Sequence, residues 1–246
     1  MITGYFRPRT LDEALALAAR TDGVVVGGGT AVNARPDRRP VVAVDLQALG
    51  LDGIHEEPGR LRVGATARLQ DIVDSDLVPD VLRSLARLEA PSTIRNAATV
   101  GGTIGGGDPD SPLLTGLLAY GAIVGVARVG SKARHPLDAV LDDRGLIEGG
   151  IITDVTIPLV ERAGAHGTGR TPMDSPIVMA VACREAGGTV RVAVSGVATR
   201  PVLVDPEQLA RLDPRGDFRG SAAFRSHLAD VLVARALAGV GGSERA

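Results

Sequence analysis

Two glycine-rich segments carry the chemistry that can be read most directly from this chain. The first runs through Val25, Val26, Gly27, Gly28, Gly29, Thr30, Ala31 and Val32; the second is Ala98, Thr99, Val100, Gly101, Gly102 and Thr103. Consecutive glycines let a backbone turn its N–H groups inward and form a concave nest for an anion such as a diphosphate. The flanking threonines add hydroxyls, so N–H and O–H donors can divide the phosphate oxygens between them. Neutral turns of this kind suit an anion deep in a cleft with no lysine at hand. Taken alone, either segment reads equally well as a tight structural turn. The stretch 99–107 resists that reading, because its five glycines weaken a fold unless a ligand must approach the backbone closely.

A strand ending in three glycines also resembles the start of a G-x-G-x-x-G dinucleotide fingerprint, with Asp45 about where a ribose-binding acid would stand. Two features count against that fold. Val32 occupies the third glycine position, and residues 31–40 would have to hold a whole crossover helix although they are few and include Pro36 and Pro40.

The elements that must position these turns follow from pattern. Thr10-Leu11-Asp12-Glu13 fits a capping box, and Leu11, Ala14, Leu15 and Ala18 continue it as a helix ending near residues 20–23. Val24-Val25-Val26 is a buried strand feeding the first glycine turn. A second strand, 41–46, follows a segment with Pro36, Pro40 and three arginines. Strands are expected at 61–65, 122–127 and 151–157, and helices at 69–73, within 77–89 with Pro79 in the first turn, and at 112–119 with Pro112 opening it. Residues 99–111 hold too many glycines for regular structure, and 161–171 read as a polar connection. Residues 177–183 and 190–194 form a hairpin turning at Gly187-Gly188. Residues 221–237 close the chain as an amphipathic helix through Phe224, Leu228, Val231 and Leu232. The fold class is α+β, with a first domain at 1–170 and a second at 171–246.

Composition bounds the function. A chain of 246 residues with 44% hydrophobic and 23% charged residues is globular. A net charge of −2 and only five aromatics argue against a nucleic-acid partner. Cys183 is the single cysteine, so this chain alone builds no disulfide, four-cysteine iron–sulfur cluster or multi-cysteine zinc site. The start MITGYFRPRT lacks the layout of a signal peptide, and no apolar run approaches a membrane span, so a cytoplasmic protein without membrane insertion is expected. His55, His135, His166 and His227 are scattered without metal-ligand spacing, and Cys183 reads as packing. No catalytic side chain is assigned. Arg95 reads as half of a structural salt bridge, and Asp45 and Asp52 as turn residues.

On its motifs the chain resembles the FAD-binding, or medium, subunits of molybdenum hydroxylases, such as carbon monoxide dehydrogenase and the flavin domain of xanthine dehydrogenase. The pieces are collinear: Val26-Gly27-Gly28-Gly29-Thr30, Val44-Asp45-Leu46, Leu51-Asp52-Gly53-Ile54, the LRVGAT at 61–66, the specific IRNAATVGG at 94–102, Asp108-Pro109, Arg170-Thr171-Pro172 to Val178, and Asp217-Phe218-Arg219-Gly220-Ser221 to Leu237. The resemblance implies a two-part PCMH-type FAD-binding domain followed by a domain with a small antiparallel sheet and helices. It implies non-covalent FAD with its diphosphate on the two glycine turns, Ser111 among the binding residues and Ile152 near the isoalloxazine ring. It also implies partners: a molybdopterin-binding large subunit that hydroxylates substrate and a small [2Fe–2S] subunit that relays electrons to the flavin, which passes them to an external acceptor.

The chain departs from the family at three places. A carboxylate expected after Ser111, near the ribityl chain, is replaced by Pro112, which implies weaker FAD binding. Ala31 stands where an acidic or polar residue is common, and residues 165–169 offer only His166 where a basic residue is usual. These departures leave two rivals to the electron-transfer subunit: a free-standing FAD-dependent oxidoreductase and a non-catalytic homologue that no longer holds FAD effectively.

Overall fold

The computed structural model describes residues 1–33, 40–169 and 174–241. The segment with Pro36 and the three arginines, the Arg170-Thr171-Pro172 motif and the division placed at 170/171 therefore lie outside the described residues.

Three sheets organise the chain. The first joins β1 (Ile2–Phe6), β2 (Gly23–Val26) and β3 (Val41–Asp45) in the order β1-β3-β2, all parallel. Helix α1 (Leu11–Ala18) packs Ala14 and Leu15 against Val44, Leu46, Ala127 and Ile151. Thr10 caps it by accepting from the Glu13 N–H, while the Glu13 carboxylate reaches back to the N–H of Arg9. Strand β1 had no sequence signal: all its residues but Gly4 are exposed, so it lacks the alternation that betrays a half-buried strand. The short α2 (Thr30–Asn33) follows the first glycine turn.

The second sheet is antiparallel, in the order β4-β5-β8-β6-β7, from β4 (Ile54–Glu57), β5 (Arg60–Gly64), β6 (Ile123–Arg128), β7 (Ser131–Pro136) and β8 (Ile151–Pro158). Six helices accompany it: α3 (Leu69–Asp74), α4 (Asp80–Glu89), α5 (Ser92–Arg95), α6 (Val100–Gly106), α7 (Pro112–Ala119) and α8 (Leu137–Asp142); α6 packs on β5 and β8, α8 on β6 and β7, and α4 on α3, α5 and α7. In α4 the Leu82 and Leu85 side chains are buried, and Pro79 stands at the N-cap, one residue before the first turn. Every residue of α7 is buried. It needs no polar face because it lies at the centre of the main core, with Leu82 and Leu85 on one side and Met179, Val181 and Cys183 of the third sheet in the same cluster.

The third sheet runs β12-β11-β10-β9, from β9 (Arg162–Thr168), β10 (Val178–Arg184), β11 (Val190–Ser195) and β12 (Val202–Val204). The hairpin β10–β11 closes from Met179↔Ser195 to Arg184↔Val190, with Gly188 at φ +85 in its turn. Strand β9 corrects the reading of 161–171 as a connection. Its glycines serve packing: a Cβ on Gly164 would lie 2.9 Å from the Ala236 carbonyl of α9 (Ala222–Val240), so glycine lets that helix settle on the sheet. In α9 the apolar face includes Leu228, Leu232 and Val233, but Phe224 is exposed and Arg225 is buried. Arg225 donates to the carbonyls of Ile177 and Gly196, 2.8 Å each, and pairs with Asp217 at 2.8 Å, which holds the Asp217 carboxyl well below the usual range.

Candidate functional site

The two glycine segments meet across one cavity of about 720 Å³, within the usual range for small-molecule sites. Val25, Val26, Gly27, Gly28, Gly29, Thr30 and Ala31 line one side, and Ala98, Thr99, Gly101, Gly102 and Thr103 line the other. Ile152 of β8 lies on the apolar floor with Leu46, Leu69, Ile94 and Ile147. Val32 continues α2, but its side chain is outside the described residues. Ser111 is not part of the lining.

The first segment is a turn between β2 and α2. A Cβ on Gly28 would fall 1.6 Å from the Ala97 carbonyl oxygen, and one on Gly27 would fall 2.4 Å from Thr99 Oγ1. Gly29 takes φ +77, which L side chains adopt rarely. Glycine here lets two backbones touch and lets one of them reverse. The turn is held from below by Gln47, whose amide donates to the Gly27 carbonyl (3.2 Å) and whose N–H is fixed by Asp45 Oδ1 (2.9 Å). Asp45 thus terminates a turn, as read, and Gln47 is a positioning residue that no pattern in the sequence announces. Among the described residues, none accepts a hydrogen bond from the N–H groups of Gly27, Gly28 or Gly29.

The second segment differs in kind. Glycine-rich as it is, 100–106 is helical, which corrects the expectation of irregular structure. Thr99 is its N-cap and accepts from Gly102 N–H (3.1 Å). Val100 N–H donates to Ala67 O (3.0 Å), Gly101 N–H to Ala65 O (2.8 Å) and Thr103 N–H to Thr99 O (2.9 Å). The N–H groups expected to cradle an anion are therefore already bonded. Neither Gly101 nor Gly102 has a positive φ. Gly101 is small because a Cβ would stand 2.8 Å from both Ala65 Cβ and Ala65 O. Val100 and Ile104 point into the core, whereas Gly105 and Gly106 line the cavity and a Cβ on either would meet nothing within 4 Å. Gly107 ends the helix at φ +64, and Arg144 ties that end down through Ile104 O (2.9 Å) and Gly105 O (2.7 Å).

Arg95 secures the segment from behind, donating to Ala90 O (2.7 Å), Arg87 O (3.2 Å) and Gln70 Oε1 (3.1 Å). Its role is structural, but through carbonyls that end α4 and not through the carboxylate expected.

Among the described residues the lining carries no Lys, Arg or His, and its charged side chains are Glu89 and Asp108. Glu89 is a residue that the sequence reading missed. Its carboxylate accepts from Ser111 Oγ (2.8 Å to each oxygen) and from Leu113 N–H (3.0 Å). Burial pushes its carboxyl above the usual range, against the pull of those two donors. Pro112 is buried in the first turn of α7 and does not line the cavity. Cys183 lies buried in β10, its thiol pushed up to about 12 by burial, as suits inert packing.

This geometry can now be set beside known proteins. The family described as the FAD binding domain in molybdopterin dehydrogenase matches residues 1–160. The chain belongs to that family. It is 29% identical over 251 residues to the uncharacterized protein YgfM of Escherichia coli strain K12, covering 95% of each chain. It is 25% identical over 278 residues to the carbon monoxide dehydrogenase medium chain of Hydrogenophaga pseudoflava, again covering 95% of each. In fold it resembles a chain of quinoline 2-oxidoreductase from Pseudomonas putida 86 (TM-score 0.85, 22% identity, 98% of each chain). It equally resembles a chain of carbon monoxide dehydrogenase from Hydrogenophaga pseudoflava (TM-score 0.85, 24% identity, 96% of each chain). The α+β class is thus that of the FAD-binding family.

The residues present fit such a cofactor. Three neighbouring N–H groups without acceptors among the described residues, with a left-handed glycine among them, make a donor-lined bend of the kind that suits an anion. Gly105 and Gly106 leave open volume that any side chain would fill. No His or Cys, the side chains that usually bond flavin covalently, lines the cavity. Among the described residues, no helix is long and apolar enough to cross a membrane.

Proposed function

We propose that this chain is the FAD-holding electron-transfer subunit of a cytoplasmic molybdenum hydroxylase complex. It binds FAD non-covalently beside a molybdopterin-binding large subunit and a small subunit with two [2Fe–2S] clusters. The observation that carries the reading is the run Gly27, Gly28 and Gly29 on the cavity wall, whose N–H groups have no acceptor among the described residues. The backbone dipoles of these N–H groups attract an anion held there, and the Thr30 hydroxyl stands next to them.

When bound, FAD supplies one- and two-electron redox chemistry. The chain's own residues bind and orient. Val25, Val26, Ala31 and Val32 frame the donor turn, while Ala98, Thr99, Gly101, Gly102 and Thr103 form the opposite wall. Ile147 and Ile152 offer an apolar surface for a flat ring and keep water from it. Ser111 acts at one remove, through Glu89. A single cysteine on this chain leaves cluster chemistry to partners, in keeping with the carbon monoxide dehydrogenase medium chain among its relatives.

Purified protein is expected to show the two visible bands of oxidised flavin and to release FAD into the supernatant on acid precipitation. A tagged chain is expected to bring down subunits containing molybdenum and iron. Protein that is colourless and takes up no added FAD would overturn the reading. Flavin without partners would reduce it to a free-standing flavoprotein, and flavin left in the acid pellet would refute the non-covalent link.

A further inference from the structure

Glu89 is the last residue of α4, yet its carboxylate is spent on another helix. Ser111 Oγ, itself the cap that accepts from Leu114 N–H (3.0 Å), reaches both carboxylate oxygens, and the Leu113 N–H reaches Oε2. The side chain is therefore fixed before any ligand arrives, and it stands on the cavity wall. A carboxylate has about four acceptor sites. Among the described residues two donors serve this one, and Oε1 is bonded to Ser111 alone, so accepting capacity remains. Water-poor surroundings make an under-used carboxylate costly unless a donor completes it.

Charge divides the cavity further. Asp108 also lines the cavity, and among the described lining residues no cation balances the two. A diphosphate beside a pair of carboxylates would be repelled, whereas the unpaired donors of Gly27, Gly28 and Gly29 attract it. The carboxylate region therefore suits a neutral, donor-bearing part of the occupant. Given the FAD reading on which this inference rests, the neutral donors that link ring and diphosphate are the ribityl hydroxyls.

We propose that Glu89 is the binding residue that accepts a hydrogen bond from the ribityl chain of FAD, with Ser111 as its positioning residue. The acceptor comes from the end of α4, so the absence of an acceptor at Pro112 does not leave the cavity without one. A diphosphate ligand without a ribityl chain would not engage it.

ADP serves as that probe, since it carries the diphosphate and the adenosine but no ribityl group. FAD and ADP are titrated into flavin-free wild type, Glu89→Ala and Glu89→Gln. Glu89→Ala is expected to weaken FAD roughly tenfold to hundredfold, the span of a charge-assisted hydrogen bond, and to leave ADP unchanged. Glu89→Gln, whose amide oxygen still accepts from Ser111 or Leu113, is expected to fold in either case and to weaken FAD alone by a smaller factor. Equal FAD constants in wild type and both variants would overturn the proposal, as would an equal loss for FAD and ADP, the mark of a structural cap. Wild type that binds no FAD would instead overturn the function proposed above.

Discussion

The two glycine segments look alike in composition and do different things. At residues 27–29 the glycines bring two backbones into contact, and their own N–H groups have no acceptor among the described residues. At 101–106 they build a short helix whose first N–H groups are bonded to Ala65, Ala67 and Thr99, and whose bare face opens on the cavity. One segment donates; the other makes room. Glycine content marks both equally, because both needs are met by a missing side chain, and only the hydrogen-bond accounting separates them.

The comparison breaks most severely at Gly28. An added Cβ would overlap the Ala97 carbonyl at 1.6 Å, and backbone cannot swing aside as a side-chain tip can. Gly28→Ala is expected to cost about 3 kcal/mol or more, at or beyond the upper end of overpacking effects, and to yield little flavin-bearing protein. Thermal melts of the flavin-free form measure this. A variant with wild-type melting temperature and flavin content would mean that the two segments do not touch.

Gly101 comes next. Its Cβ would press on Ala65 at 2.8 Å, so Gly101→Ala is expected to cost about 1–3 kcal/mol with or without FAD. A loss of FAD affinity at unchanged stability would instead return the second segment to direct diphosphate contact.

Gly105 and Gly106 should respond in the opposite direction. Both are helical and face open space, and alanine there gains about 1 kcal/mol of helix propensity per site. Gly105→Ala and Gly106→Ala are expected to raise the melting temperature of the flavin-free protein and to weaken FAD. Stabilisation with unchanged FAD affinity would show that the open face is not where the cofactor lies.

How much of this was legible follows from the same physics. Strands β2, β3, β5, β6, β8, β10 and β11 and the long α9 announce themselves through buried, periodic or β-branched residues. Strand β1 does not, being exposed on both faces, and β9 does not, because Gly164 replaces a side chain with room for α9. Arg225 could not be placed inside from its type alone; its burial depends on the carbonyls of Ile177 and Gly196, which are distant in sequence. The lining of the cavity was legible where glycine and threonine cluster. Glu89 was not, since a glutamate ending an amphipathic helix is the commonest of solvated residues, and what distinguishes it is the α7 N-terminus brought against it.

The smallest effect expected is a slope. Burial raises the Glu89 carboxyl above its usual range, outweighing the Leu113 N–H and Ser111 that lower it, and the Asp108 charge adds to the rise. A carboxyl whose folded value exceeds its unfolded one adds stability at pH below the unfolded value and loses it as pH rises through the folded one. Glutamine at 89 has no such dependence. The melting temperature of flavin-free Glu89→Gln relative to wild type is therefore expected to increase from acidic to neutral pH, most steeply just above the ordinary glutamate range. The charge of Asp108 is present in both proteins and largely cancels from the difference. Parallel stability curves would mean that the Glu89 carboxyl titrates as it does in water. It would then stand in solvent at the cavity mouth, and the contrast between a donor turn and an acceptor wall would lose its second half.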